Sequence, residues 1–301
     1  MKTSEAVRES RQKRSWFHPL VLARWGLILA LLGYLVVGLY IFLRQRDLVY
    51  ATPAPPLSTD EATKGAASVG LVPWPQTTPG AAGRQGYVPS SFANPAPRGT
   101  IVLFHGNGDP AWLSADHIAP FTRRGFRTFF YEYPGFGGRP GVPSEKVIVP
   151  EARAVVRSLA EAGYGPIYIW GESLGAAVAA AVCADEGLPI HGLTLVTPWD
   201  TMANVGQSYY PYLPVRPFMI DKYDSVANLK NFQHPICVIR GDKDDTIFPP
   251  LTLNLFAHLP EPKKMMLMKG YGHGDWPAEP GLPWWDEALN SMAPPASKQA
   301  R

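Results

Sequence analysis

The chain has 301 residues, 46% of them hydrophobic and 18% charged, with a formal net charge of +3. That suits one large α/β domain plus an appendage, and it is too apolar for a disordered chain. The charge is lopsided: residues 1–46 carry +6 and the remainder −3, which leaves the main domain without the basic field that would attract nucleic acid.

In chain order, residues 1–24 form a basic segment, and Trp25 to Leu43 follows as nineteen residues without a charge. At about 1.5 Å per residue such a run crosses a hydrocarbon core of about 30 Å. Arg24 and Arg44 bracket it, and Trp25 and Tyr40 suit the two interfaces. The competing reading, a secretory signal peptide, has a shorter apolar core followed by small residues. Here Arg44-Gln45-Arg46-Asp47 follows, so an uncleaved signal anchor is expected. Lys2, Arg8, Arg11, Lys13, Arg14 and Arg24 outnumber Arg44 and Arg46, which places the N-terminus in the cytoplasm and the large domain across the membrane. In a Gram-negative cell that domain is periplasmic.

Residues 44–97, rich in Pro, Gly, Ala and Thr beyond Ala51, read as a linker passing into edge strands. Gly99–Phe104 is a continuous apolar run of the kind a buried parallel strand needs. Phe126–Tyr131 is a second strand, and Glu151–Ala162 a helix with apolar positions 152, 155, 156 and 159 on one face. Strands are expected at 166–170, 192–197, 236–240 and 264–268, with helices at 176–184 and 250–258. Alternation of this kind predicts an α/β fold, a mostly parallel sheet covered by helices on both faces, over residues 98–292. Residues 198–235 insert Trp199, Tyr209, Tyr210, Tyr212, Phe218 and Met219, read as a small lid over an apolar acyl pocket or as a packed surface loop. Residues 293–301 read as a flexible tail.

Gly171-Glu172-Ser173-Leu174-Gly175 lies between a strand and an Ala-rich helix, the setting that a G-x-S-x-G nucleophile elbow requires. A neutral serine hydroxyl needs a base within reach and a group that orients the base. His273, in a Gly-rich loop after the last strand, is the base, and Asp244 is the orienting acid, with Asp245 as the alternative. His105, His117, His191, His234 and His258 lie in contexts that suit structural roles. The backbone N–H of Leu174, at the start of the helix, is one donor to a developing oxyanion. Cys183 and Cys237 lie in apolar stretches and read as buried small hydrophobes. No CxxC or HExxH spacing argues for a metal site, and no cofactor is expected.

The segments FHGNG (104–108), YEYPGFGG (131–138), GESLGAAVA (171–179), GDKDDTIFP (241–249) and YGHGDW (271–276) resemble, in order, those of the α/β-hydrolase superfamily, and within it the membrane-anchored Bem46-like serine hydrolases. The loop departs from the family pattern at Gly108-Asp109-Pro110, where Ala-Gly-Asn is more usual. The resemblance implies a Ser173–His273–Asp244 triad and a second oxyanion donor in the backbone N–H of Asn107. It also implies cleavage of an ester or related acyl bond in a small-molecule or lipid-like substrate. Peptidase and thioesterase chemistry use the same parts, and a non-catalytic interaction module on the same scaffold is the reading from another class.

Overall fold

Thr100-Ile101-Val102-Leu103-Phe104 has no polar face, so it is stable only where both sides of a strand are covered. In the computed structural model, which describes residues 19–52, 55–75, 83 and 85–295, this run is fully buried. Residues 1–18 of the basic N-terminus, part of the linker (53, 54, 76–82 and 84) and residues 296–301 of the tail lie outside that description.

The chain divides into two units, residues 1–45 and 46–301. The first is dominated by helix α1 (Pro19–Val49), which extends beyond the uncharged run at both ends and whose last turn belongs to the second unit. Its 31 residues are long and apolar enough to cross a membrane.

The second unit is built on eight strands: β1 (Leu71–Trp74), β2 (Gly86–Pro89), β3 (Gly99–Phe104), β4 (Phe126–Tyr131), β5 (Ile167–Glu172), β6 (Ile190–Val196), β7 (Ile236–Gly241) and β8 (Lys263–Met268). Their order in the sheet is β1-β2-β4-β3-β5-β6-β7-β8. β2 pairs antiparallel with β1 and β4, and every later pairing is parallel. The predicted strands are all present, each within a residue or two of its expected ends.

Register decides where function can sit. Phe104 lies opposite Tyr131 and Gly171, Glu172 opposite Val196, and Gly241 opposite Met268. The loops after β3, β5, β7 and β8 therefore leave the same edge of the sheet, the carboxyl edge at which α/β proteins bind ligands.

Helices cover both faces. On one side, the core joins α4 (Glu145–Glu161), α5 (Leu174–Cys183) and the insertion helices α6 (Met202–Tyr209), α7 (Val215–Phe218) and α8 (Ser225–Leu229) to α9 (Pro249–His258). On the other, α2 (Thr59–Ser68), a 3-10 stretch (Ala111–His117), α3 (Ile118–Arg123) and α10 (Pro283–Met292) pack around Trp170 and Trp285. All ten residues of α5 are buried, so the helix has no polar face. Both cysteines are free and buried.

The 3-10 stretch, α3 and the insertion helices have no counterpart in the sequence reading, and four other features differ from it. Residues 59–68 form helix α2, started by a Ser58–Glu61 capping box in which each side chain satisfies the other's backbone N–H. Helix α4 begins at Glu145 instead of Glu151, because Pro150 lies inside it and does not start it; it gives up one intrahelical bond there. Residues 283–292 form α10, stapled to the body by a two-pronged Arg124–Asp286 pair at 2.7 and 2.8 Å. Ala293, expected to begin the tail, is buried, and its carbonyl accepts from Arg98 at 2.5 Å.

Candidate active site

Ser173 stands between β5 and α5 with φ 51° and ψ −114°, a conformation that costs an L-residue on the order of 1–3 kcal/mol. Two glycines make the turn possible. A Cβ on Gly175 would overlap the Phe104 carbonyl oxygen, and one on Gly171 would overlap the Gly175 carbonyl. The close approach brings the start of α5 against the end of β3 and pushes the Ser173 side chain out at the sheet edge.

The loop after β8 brings His273 to that side chain. Its Nε2 lies 2.9 Å from Ser173 Oγ. Its Nδ1 lies 2.9 and 3.1 Å from the two carboxylate oxygens of Asp244, in the loop after β7. A carboxylate only accepts, so Nδ1 carries the proton and Nε2 is left to accept from the serine hydroxyl. Asp244 is buried, whereas Asp245 is exposed. Burial pushes the Asp244 carboxyl up, but hydrogen bonds from His273 and from the Ile247 and Thr246 N–H groups outweigh it and hold the group below the usual carboxylate range. The acid is therefore ionised at neutral pH.

Leu174 is the first residue of α5, so its N–H has no partner within the helix. The loop His105-Gly106-Asn107 passes beside Ser173: a Cβ on Gly106 would lie 3.8 Å from that of Ser173. His105 is buried beneath this loop, where its Nδ1 meets the Gly106 carbonyl at 2.8 Å and its Nε2 meets Glu132 at 3.2 Å. Tyr133 donates to the His105 carbonyl at 2.9 Å. The Asn107 side chain accepts from the backbone N–H of Ala51 at 2.8 Å.

One member of the surroundings has no local signal in the sequence. His117 is buried between two carboxylates, with Nε2 2.8 Å from Glu172 and Nδ1 2.8 Å from Asp116. Burial lowers its pKa, yet the charge of Glu172 and the hydrogen bonds to Asp116 and Glu172 prevail and push it up to about 10. Glu172, immediately before Ser173, also accepts from the Trp170 indole N–H at 2.8 Å. The elbow is thus pinned from the side by an imidazolium.

Of the insertion, Trp199 and Met219 are buried, whereas Tyr209, Phe218 and Tyr212 are half or more exposed. Tyr209 donates to the Thr246 carbonyl at 2.8 Å, tying the insertion to the Asp244 loop. Among the described residues no group of three His, Cys, Asp or Glu side chains is placed to hold a metal ion.

A mostly parallel sheet in this order, with a serine at a strained strand–helix turn and a histidine and an acid from later strand ends, defines an α/β hydrolase. The family model described as serine aminopeptidase, S33, a hydrolase family, matches residues 95–214. An uncharacterized protein of Mycobacterium tuberculosis, Rv2307c, is 30% identical over 253 residues, covering 82% of this chain and 88% of its own. Protein bem46 of Schizosaccharomyces pombe is 24% identical over 189 residues, 59% of this chain and 62% of its own. Lysophosphatidylserine lipase ABHD12 of Danio rerio is 27% identical over 170 residues, 50% of this chain and 44% of its own. The chain belongs to the Bem46-like α/β hydrolases.

Proposed function

We propose that the protein is a membrane-anchored serine hydrolase that cleaves a carboxylic ester or related acyl bond through an acyl-enzyme. The observation that carries this reading is the continuous hydrogen-bonded line from Ser173 Oγ through His273 to Asp244. In the proposed reaction His273 Nε2 takes the Ser173 proton as Oγ bonds to the acyl carbon, and the carbonyl electron pair moves onto oxygen. Backbone N–H groups of Leu174 and Asn107 stabilise that oxyanion; one such donor is worth about 3–4 kcal/mol of barrier. Collapse of the intermediate breaks the bond to the leaving alcohol, which takes the proton from His273. Water then repeats the sequence on the acyl-enzyme, freeing the acid and restoring Ser173.

A small-molecule or lipid-like acyl substrate is favoured by the aromatic insertion and by the likeness to a lysophosphatidylserine lipase. The long apolar helix α1 is taken as the anchor, with the N-terminus in the cytoplasm and the catalytic domain across the membrane. A second reading, an aminopeptidase, is favoured by the description of the matching family. The full-length chain in detergent, assayed on p-nitrophenyl esters of graded length beside aminoacyl anilides, separates the two. Higher kcat/KM on esters, rising with acyl length, is expected; turnover confined to the anilides would replace the esterase reading with the peptidase one.

A further inference from the structure

Arg46, in the last turn of α1, and Tyr50 and Ala51, just beyond the helix, make contacts that the proposed chemistry does not by itself require. Arg46 reaches Asp221 at 3.3 Å, and that carboxylate is nearly inaccessible to solvent. Asp221 also accepts from the Glu145 N–H at 3.1 Å, while the Glu145 carboxylate accepts from the N–H groups of Lys222 and Tyr223 at 2.5 and 3.1 Å. Tyr50 and Tyr223, both fully buried, meet hydroxyl to hydroxyl at 3.1 Å. Tyr223 holds φ 34°, a left-handed conformation that a bulky residue adopts only where its surroundings enforce it. One residue beyond Tyr50, the Ala51 N–H donates to Asn107.

These contacts join segments 56, 173 and 175 positions apart in sequence. Asn107 stands between Gly106 and Gly108, the latter at φ +98°, so its loop has little stiffness of its own. An oxyanion donor acts only when fixed in place, and a displacement of about 1 Å costs roughly a hundredfold in rate. The tether to Ala51 supplies from outside the stiffness that two flanking glycines remove.

We propose that Arg46–Thr52 is a positioning element of the active site, holding the oxyanion loop through Asn107 and the insertion through Asp221 and Tyr223. The proposal rests on the serine-hydrolase reading above. It makes the residues that leave the apolar helix a working part of the catalytic domain and not a passive tether.

The test uses the full-length chain in detergent, with active sites counted by fluorophosphonate titration and turnover on a short p-nitrophenyl ester expressed per labelled site. Asn107→Ala and Ala51→Pro remove opposite ends of one bond, and both leave the Asn107 N–H in place. Each is expected to lower kcat per labelled site by roughly tenfold to a hundredfold, with KM little changed. Because both break the same interaction, the double variant is expected to fall no further than the weaker single one. Tyr50→Phe keeps the ring and removes only its hydroxyl link; it provides a second strap variant should Ala51→Pro not fold, and is expected to lower kcat per site in the same direction. A merely structural strap would reduce the number of labelled sites and leave turnover per site at the wild-type value, which overturns the proposal. Wild-type protein that takes no probe would overturn the underlying reading as well.

Discussion

Replacing Ser173 by alanine is expected to lower kcat/KM on an ester by roughly 10⁵- to 10⁶-fold while leaving the domain folded. In the proposed reaction the hydroxyl is the atom that bonds to the acyl carbon, and no neighbouring group is placed to take over: His273 faces it, and Cys183, on the following helix, is buried with its thiol pushed up well beyond the reactive range by burial. Residual turnover of about 10³- to 10⁴-fold over water is expected from the proposed oxyanion donors and from binding. Removing one hydroxyl at the start of α5 disturbs little packing, because no hydrogen bond from that side chain caps the helix. Steady-state kinetics alongside a thermal melt checks both halves, and turnover close to wild type would mean that another group attacks.

The second large effect is expected at Asp244. Asp244→Asn should cost on the order of 10⁴-fold in kcat, because an amide presents a donor to His273 and favours the tautomer whose Nε2 carries the proton. A ring in that state cannot accept from Ser173. The substitution keeps the Oδ1 that accepts from Thr246 and Ile247 at 3.0 and 2.8 Å, so the loop has no reason to unfold. Asp245→Asn, on an exposed side chain in the same turn, is expected to leave kcat near wild type. Paired kinetics of the two variants decides the matter, and a larger loss at Asp245 would transfer the orienting role to it.

How far the sequence carried depends on how local each cause is. β3 was legible because six consecutive residues are buried on both faces, and the elbow because two glycines must flank Ser173 within five positions. Helix α2 was legible in principle through Ser58 and Glu61, but the surrounding Pro, Gly and Ala composition read as linker. The sequence reading begins helix α4 six residues late, at Glu151, because the apolar stripe it follows starts at 152; the helix runs from Glu145 and encloses Pro150, a residue that most helix interiors exclude. Asp244 and Asp245 differ by one position and share a composition; burial and two backbone donors, which only the folded loop supplies, tell them apart. His117 neighbours one carboxylate, Asp116, but its other partner, Glu172, and the partners of the strap, Asp221 and Tyr223, lie 55 or more positions away, so neither arrangement is legible locally.

The most direct measurement is intact-protein mass spectrometry after treatment with a fluorophosphonate, followed by mapping of the modified peptide. One adduct per chain on Ser173, lost on prior substitution of His273 by alanine, is the expected result. A folded chain that takes no adduct, or takes it on a different residue, would contradict the assignment of Ser173 as the nucleophile.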